Sequence, residues 1–268
     1  GYSIIDDGRF KEAELNFPDY PYTIVFEYIV KQKNILRYPT WAPLPVYNLS
    51  CQWSEFEVIN PKDLELRYLE KNIPANVNSE IDASSGRYKW NIKNAPALMY
   101  ETMAPHASEI LPLVRTSPTR FVTFAYQGDM SEWQGYGQWV HALLEGKQKL
   151  PQNTVKKIQE LIKDCSDDTE KVRRIYQYMQ NHTRYISVSL GLGGWQPFDA
   201  TYVDEKGYGD CKALSNYMMS LLQSVGITSH YTLIRAGNNE PSISVEFPSH
   251  QFNHAILCVP LEKDTLWL

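Results

Sequence analysis

The sequence predicts an α+β protein, with a β-rich N-terminal half that reads as a β-sandwich and a helical half behind it. Three observations predict it. Strand-like runs separated by proline clusters fill roughly the first 125 residues, with no long helical period among them. Apolar residues recur at helical spacing from residue 153 onward. The chain then returns to short strands, giving the order helix, helix, strand, loop, helix and three strands.

In the first half, "YTIVFEYIV" (22–30) is dense in β-branched and aromatic residues and predicts a strand. "LELRYLE" (64–70) and "RFVTFAY" (120–126) alternate apolar and polar residues, and "SSGRYKWNI" (84–92) reads as a turn into a strand. Prolines cluster between these runs, as in "YPTWAPLPVY" (38–47). Residues 128–150 change character. "SEWQGYGQWVHALLEG" (131–146) places Trp139, Leu143 and Leu144 at helical spacing and predicts a connector helix. Val155, Ile158, Leu161 and Ile162 then mark one helix face, and Val172, Ile175, Tyr176 and Met179 mark a second helix that opens on capping residues. "YISVSL" (185–190) reads as a strand and 191–209 as a long, glycine-punctuated loop of the kind that is commonly functional. The expected division is a β-rich domain over 1–127, the connector over 128–150, and a catalytic-type α+β domain over 151–268. Both outer domains are expected to be truncated at the chain ends.

The totals exclude several classes. The chain has 268 residues and 43% hydrophobic content, enough for a substantial core, and its net charge of −5 argues against nucleic acid as main partner. No apolar run reaches the roughly 18 residues of a membrane helix. The chain begins at Gly1, so its location is not read from a leader. Cys51, Cys165, Cys211 and Cys258 are far apart and form no C-x-x-C pair. With 18 Tyr and 7 Trp, a peptide- or sugar-binding surface stays open.

"GYGDCKALSNYMMSLLQSVG" (207–226) carries the chemistry. Leu214, Tyr217, Met218, Leu221, Leu222 and Val225 predict an amphipathic helix, and Gly226 its stop. Asp210 is a good N-cap, which sets Cys211 at the first helical position. Unpaired N–H groups and the helix dipole there favour a thiolate. Two readings of Cys211 stand: a small buried residue, or a nucleophile. A nucleophilic thiol needs a base, and His254 opens the apolar strand "HAILCV" (254–259). A histidine satisfied by core neighbours is the other reading. His250 and His254 form an H-x-x-x-H pair, but position 251 is Gln and Pro248 with the following β-run argues against a helix. Neither a metal nor a cofactor is expected.

"YGDCKALSNYMMSLLQSVGI", "FNHAILCV" and a strand ending in Trp-Leu together resemble the core of the transglutaminase-like superfamily, a papain-like thiol fold, from about Arg184 to Leu268. "DDGRFKEAELNFPDYPYTIVFEYIV" (6–30) resembles the β-rich domain of unknown function that precedes this core in bacterial, often exported, proteins. The resemblance implies a helix-start cysteine packed on an antiparallel sheet, with Cys211 as nucleophile and His254 as general base. It aligns Gln196 with an oxyanion donor; a surface loop glutamine is the alternative. Trp195 is either a cleft wall or core, and Lys212 is read as a helix-start residue without a role. Members often carry an acidic residue where this chain has Ala213.

The function implied is thiol-dependent acyl transfer on peptide or glutamine-type amides, most simply by a cysteine-protease-like hydrolase acting on a peptide or protein, in a periplasmic or otherwise exported setting. The alternative is a peptide- or glycan-binding protein with a degenerate thiol domain. A glycosidase reading on Asp199 with Asp204 or Asp210 has no spacing to support it. The third catalytic residue has no obvious counterpart. "HAILCVPLEKDTLWL" reads as a hairpin turning around Leu261 to Asp264, so the position opposite His254 falls just past Leu268. Asp264 and Glu262 are then turn residues, and the chain is expected to stop short of the group that orients His254, with impaired activity.

Overall fold

A computed structural model describes residues 3–6, 10, 12–19, 21–31, 36–238 and 240–268. Among these, the first half is built from strands β1 (Ser3–Asp6), β2 (Thr40–Trp41), β3 (Cys51–Ile59), β4 (Leu66–Lys71), β5 (Val77–Asp82) and β6 (Arg87–Ala95). The one-turn helix α1 (Ala107–Ile110) and strands β7 (Leu113–Pro118), β8 (Arg120–Thr123) and β9 (Tyr126–Asp129) complete it. Two antiparallel three-stranded sheets, ordered β2-β7-β4 and β3-β6-β5, share one core. Trp90 of β6 is fully buried there, and its indole N–H donates to Glu70 of β4 at 2.7 Å. Trp41 of β2 donates to Ser54 of β3 at 2.8 Å, a second tie between the sheets. Each indole buries a large apolar ring while satisfying its one donor.

The strand expected over 22–30 does not form. Those residues carry no strand, and Ile29 is 90% exposed. β-propensity expresses fit to a pleated, half-buried surface, and among the described residues no strand ladder includes 22–30. Residues 7–9, 11 and 20 of the stretch 6–30 lie outside the described residues.

The second half follows the expected order. Helices α2 (Trp133–Leu144), α3 (Gln152–Ile162) and α4 (Asp168–His182) lead to strands β10 (Arg184–Tyr185) and β11 (Ser187–Ser189). A short helix α5 (Ala200–Lys206) and strand β12 (Tyr208–Gly209) sit inside what reads as loop, before α6 (Cys211–Gln223). Strands β13 (His230–Ile234), β14 (His254–Pro260) and β15 (Thr265–Trp267) form an antiparallel sheet in that order. Its register pairs Cys258 with Trp267 and Pro260 with Thr265, so β15 faces the far end of β14 from His254.

Helix α6 is buried more completely than an amphipathic stripe requires. Tyr217, Leu221 and Leu222 are inaccessible, packed with Ile158, Val172 and Ile175 of α3 and α4 and with Leu257 and Val259 of β14. Each such aliphatic side chain contributes roughly 1.5–3 kcal/mol. Its buried polar groups are all answered. The Asn216 amide donates to the carbonyls of Lys147 and Phe198, its oxygen accepts from Gln148, and the Tyr217 hydroxyl donates to Asp204 at 2.5 Å. These contacts together lock the axis and rotation of the helix that begins at Cys211.

Candidate active site

The glycines ahead of Cys211 are there for space and for backbone. Gly207 ends α5 at φ +67°, where a side chain would be strained. At Gly209 a Cβ would stand 2.7 Å from the Cβ of Ala213, so only glycine lets the chain close over the first turn of α6. Ala213 is itself fully buried, which gives a packing reason for a small apolar residue at this position. Asp210 caps the helix as expected, accepting from the Ala213 N–H at 3.0 Å while 4% exposed. Lys212 departs from the expectation of a helix-start residue without a role. Its side chain is only 13% exposed, it ion-pairs with Asp210, and it faces the same cavity as Cys211.

That cavity has a volume of about 310 Å³, at the lower end of the range for ligand sites. Cys211, Asp210 and Lys212 enter it from α6, His254 from the start of β14, Trp195 from the loop after β11, and Tyr185 from β10. Of the residues singled out in the sequence, the fold places Cys211, His254, Asp210 and Trp195 around this one cavity. The Ser215 hydroxyl donates to the carbonyl of Ala255 at 3.4 Å, which ties the first turns of α6 to the start of β14. Burial holds the His254 imidazole below its ordinary pKa; Lys212 pushes the same way and Asp210 opposes. Its neutral form is therefore the one present at pH 7, the form that can accept a proton. Asp264 caps its own turn, accepting from the Thr265 N–H at 2.7 Å, as expected of a turn residue.

Gln196 is placed differently. It does not line the cavity, and its amide donates to the Tyr126 hydroxyl at 2.9 Å. Tyr185, which sequence reading passed over as part of a strand, does reach Cys211. β10 pairs with β12 so that Tyr185 lies opposite Gly209, two positions before the cysteine. Burial raises its phenol, and the charges of Cys211 and Asp210 raise it further, so the hydroxyl stays protonated beside the thiol. Asp199 pairs with Lys147 at 3.0 Å, and Asp204 accepts from Thr154 and Tyr217. Structural partners thus occupy two of the carboxylates weighed for glycosidase chemistry.

A network invisible in the sequence flanks the cavity. The Arg37 guanidinium donates to His250 Nε2 at 2.6 Å, and His250 Nδ1 lies 2.8 Å from the Tyr136 hydroxyl. Arginine cannot accept, so Nε2 is the acceptor and the proton of the neutral ring sits on Nδ1, donated to Tyr136. The His250 ring meets Trp195 edge to face at 4.9 Å, and Arg37 lies over the same indole at 5.4 Å. Burial, with Arg37 and Arg235 adding repulsion, pushes His250 down to about 3. Its folded pKa is thus below its unfolded one, so its share of stability is whole above pH 6.5 and is lost as pH falls toward 3. The unfolding free energy should drop by up to about 1.4 kcal/mol per pH unit across that window from this group. Urea melts at pH 7, 5 and 4 check it: His250→Gln should show a shallower decline than the unsubstituted chain, and equal slopes would contradict the assignment.

A helix-start thiol and a neutral imidazole thus face one cavity beside an antiparallel sheet. Residues 156–268 match the family model of the transglutaminase-like superfamily. Comparison with curated proteins found no match. Among solved structures, a "putative protease" from Parabacteroides distasonis is similar over 86% of this chain, with a TM-score of 0.55 and 17% identity. The chain spans 43% of that protein's length, and at this identity the likeness speaks for the fold alone. A "putative cysteine protease" from Cytophaga hutchinsonii aligns over 88% of this chain and 72% of its own, with a TM-score of 0.35 and 13% identity, too low to carry an argument. Among the described residues no helix is long and apolar enough to cross a membrane.

Proposed function

We propose that the chain carries a thiol acyl-transfer site acting on peptide or glutamine-type amides, of the cysteine-hydrolase kind. The observation that carries this is the meeting of Cys211, at the first turn of a capped helix, with a neutral His254 on one small cavity. His254 takes the thiol proton, and Sγ attacks the amide carbonyl carbon. The resulting oxyanion is met by backbone N–H groups at the start of α6, with the Tyr185 hydroxyl as second donor in place of Gln196. Collapse breaks the C–N bond, His254 returns its proton to the leaving amine, and water then cleaves the thioester. Hydrolysis is favoured over transfer to an amine because the Parabacteroides protein of similar fold carries a protease name.

Three further readings belong to the same proposal. The paired N-terminal sheets form a β-sandwich, supported by their shared core and the two indole ties. The chain divides at 1–127, 128–150 and 151–268, with α2 as the shared element, since Tyr136, Trp139 and Leu143 pack with Phe121 on one side and Trp195 and Phe252 on the other. Export rests on the resemblance of the N-terminal stretch.

Acid-quenched mixtures of the chain with denatured casein, read by mass spectrometry, test the reaction. An acyl adduct should sit on the Cys211 peptide and be removed by hydroxylamine. Casein cleavage with no adduct on Cys211, or an adduct on Cys165 or Cys258, would contradict it.

A further inference from the structure

Beside the Cys211 cavity lies a second one, of about 480 Å³, lined from both halves of the chain. Three guanidiniums reach it, from Arg37, Arg115 and Arg235, and no aspartate or glutamate is among its described lining residues. In a chain of net charge −5 this is a concentrated reversal of sign. Arg235 is matched, its Nε donating to Glu240 at 2.9 Å. Arg115 donates instead to neutral groups, the Ser244 hydroxyl at 2.8 Å and the Gln251 amide oxygen at 2.6 Å. Glu109 and Glu246 attract Arg115 only at longer range, and Glu109 is already bound to Lys71 at 2.6 Å. Arg37 donates to neutral His250. Among the described residues, then, two cations at this cavity have no ion-pair partner. A guanidinium presents five N–H donors in a fork that fits a carboxylate, and the contacts above use only part of each.

The cavity adjoins the candidate active site. Arg37, His250, Phe252 and Asn253 line both. From Gln251, in the basic cavity, to His254 is about 10 Å even with the chain fully extended. An extended peptide with its reacting carbonyl at Cys211 reaches the cavity with a residue roughly two or three positions away.

We propose that this cavity is an acidic subsite, in which Arg37 and Arg115 receive a carboxylate of the peptide substrate a short distance from the bond at Cys211. The proposal rests on the reading of Cys211 and His254 as a peptide-amide site. The carboxylate comes from an Asp or Glu side chain or from a peptide C-terminus, which present the same chemistry.

Calorimetric titration of the full chain carrying Cys211→Ala decides it, because binding is read without turnover. Three probes are compared: the neutral hexapeptide amide acetyl-Ala-Gln-Gly-Ala-Gln-Ala-amide, its counterpart with both Gln replaced by Glu, and the neutral peptide with a free C-terminal carboxylate. One acidic probe should bind at least about tenfold tighter than the neutral amide, as a charge-assisted bidentate contact implies. A tighter Glu probe assigns the side chain, and a tighter free-acid probe assigns the terminus. Arg115→Gln and, separately, Arg37→Gln should bring the preference to within about twofold. If the Arg115 variant does not melt cooperatively, the exposed Arg37 decides alone. Three probes binding alike or not at all, or a preference that survives the substitutions, would overturn the subsite. An acidic preference in a chain whose Cys211 forms no acyl adduct would instead sink the catalytic reading alone.

Discussion

Cys211→Ala should abolish acyl transfer, lowering kcat/KM by at least about 10³-fold, while leaving the fold in place. The loss follows from the mechanism, since Sγ is the atom that forms the covalent intermediate. Retention of the fold follows from what holds α6. Its cap is the Asp210 carboxylate on the Ala213 N–H, and its anchors are Asn216, Tyr217, Leu221 and Leu222, none of which uses the thiol. Cys258 serves as the control: it lies on β14 but not on the cavity, so Cys258→Ala should keep the activity. Steady-state kinetics on one peptide substrate, with urea melts beside them, check both halves. A Cys211→Ala chain within tenfold of the unsubstituted one would remove the nucleophile from the account.

His254→Gln should lower kcat/KM by about 10²–10⁴-fold, the usual worth of a positioned general base. It should also change the shape of the pH profile. In the unsubstituted chain the imidazole titrates below its ordinary range because burial disfavours its charged form. The acid limb of kcat/KM should therefore fall below pH 6.5, with the base form available above it. Glutamine holds a similar volume but takes up no proton, so that limb should disappear. A variant that keeps the limb at reduced height would place the titrating base elsewhere.

The parts of this arrangement written in local sequence were legible, and the parts written in tertiary contact were not. Asp210, Cys211 and the apolar spacing behind them define a capped helix without help from elsewhere, and the turn around Leu261 to Asp264 sets the β14–β15 register by counting. By contrast β5, "VNSEID", is almost wholly exposed and carries no apolar pattern; it exists because β6 offers it a ladder. The reverse holds at 22–30, where strong β-propensity gives no strand among the described residues. α5 was hidden in a glycine-punctuated stretch, since its Ala200 and Val203 contribute only two buried positions. Tyr185 carried no signal beyond strand propensity. The Arg37–His250–Tyr136 network joins residues more than a hundred positions apart, a juxtaposition that only the folded chain creates. Gln196 shows the limit of carrying a role across by motif. Its side chain is captured by Tyr126, a residue contributed by the other half.

The central claim is that Cys211 and His254 work as a pair, and its most direct test needs no substrate. Iodoacetamide alkylation rates of all four cysteines, followed by peptide mapping from pH 5 to 8, are compared between the unsubstituted chain and His254→Gln. Cys211 should react first, at least about tenfold faster than Cys51, Cys165 or Cys258 near pH 7, and His254→Gln should remove most of that advantage. Earlier labelling of Cys165 or Cys258, or a Cys211 rate that does not respond to the loss of His254, would contradict it.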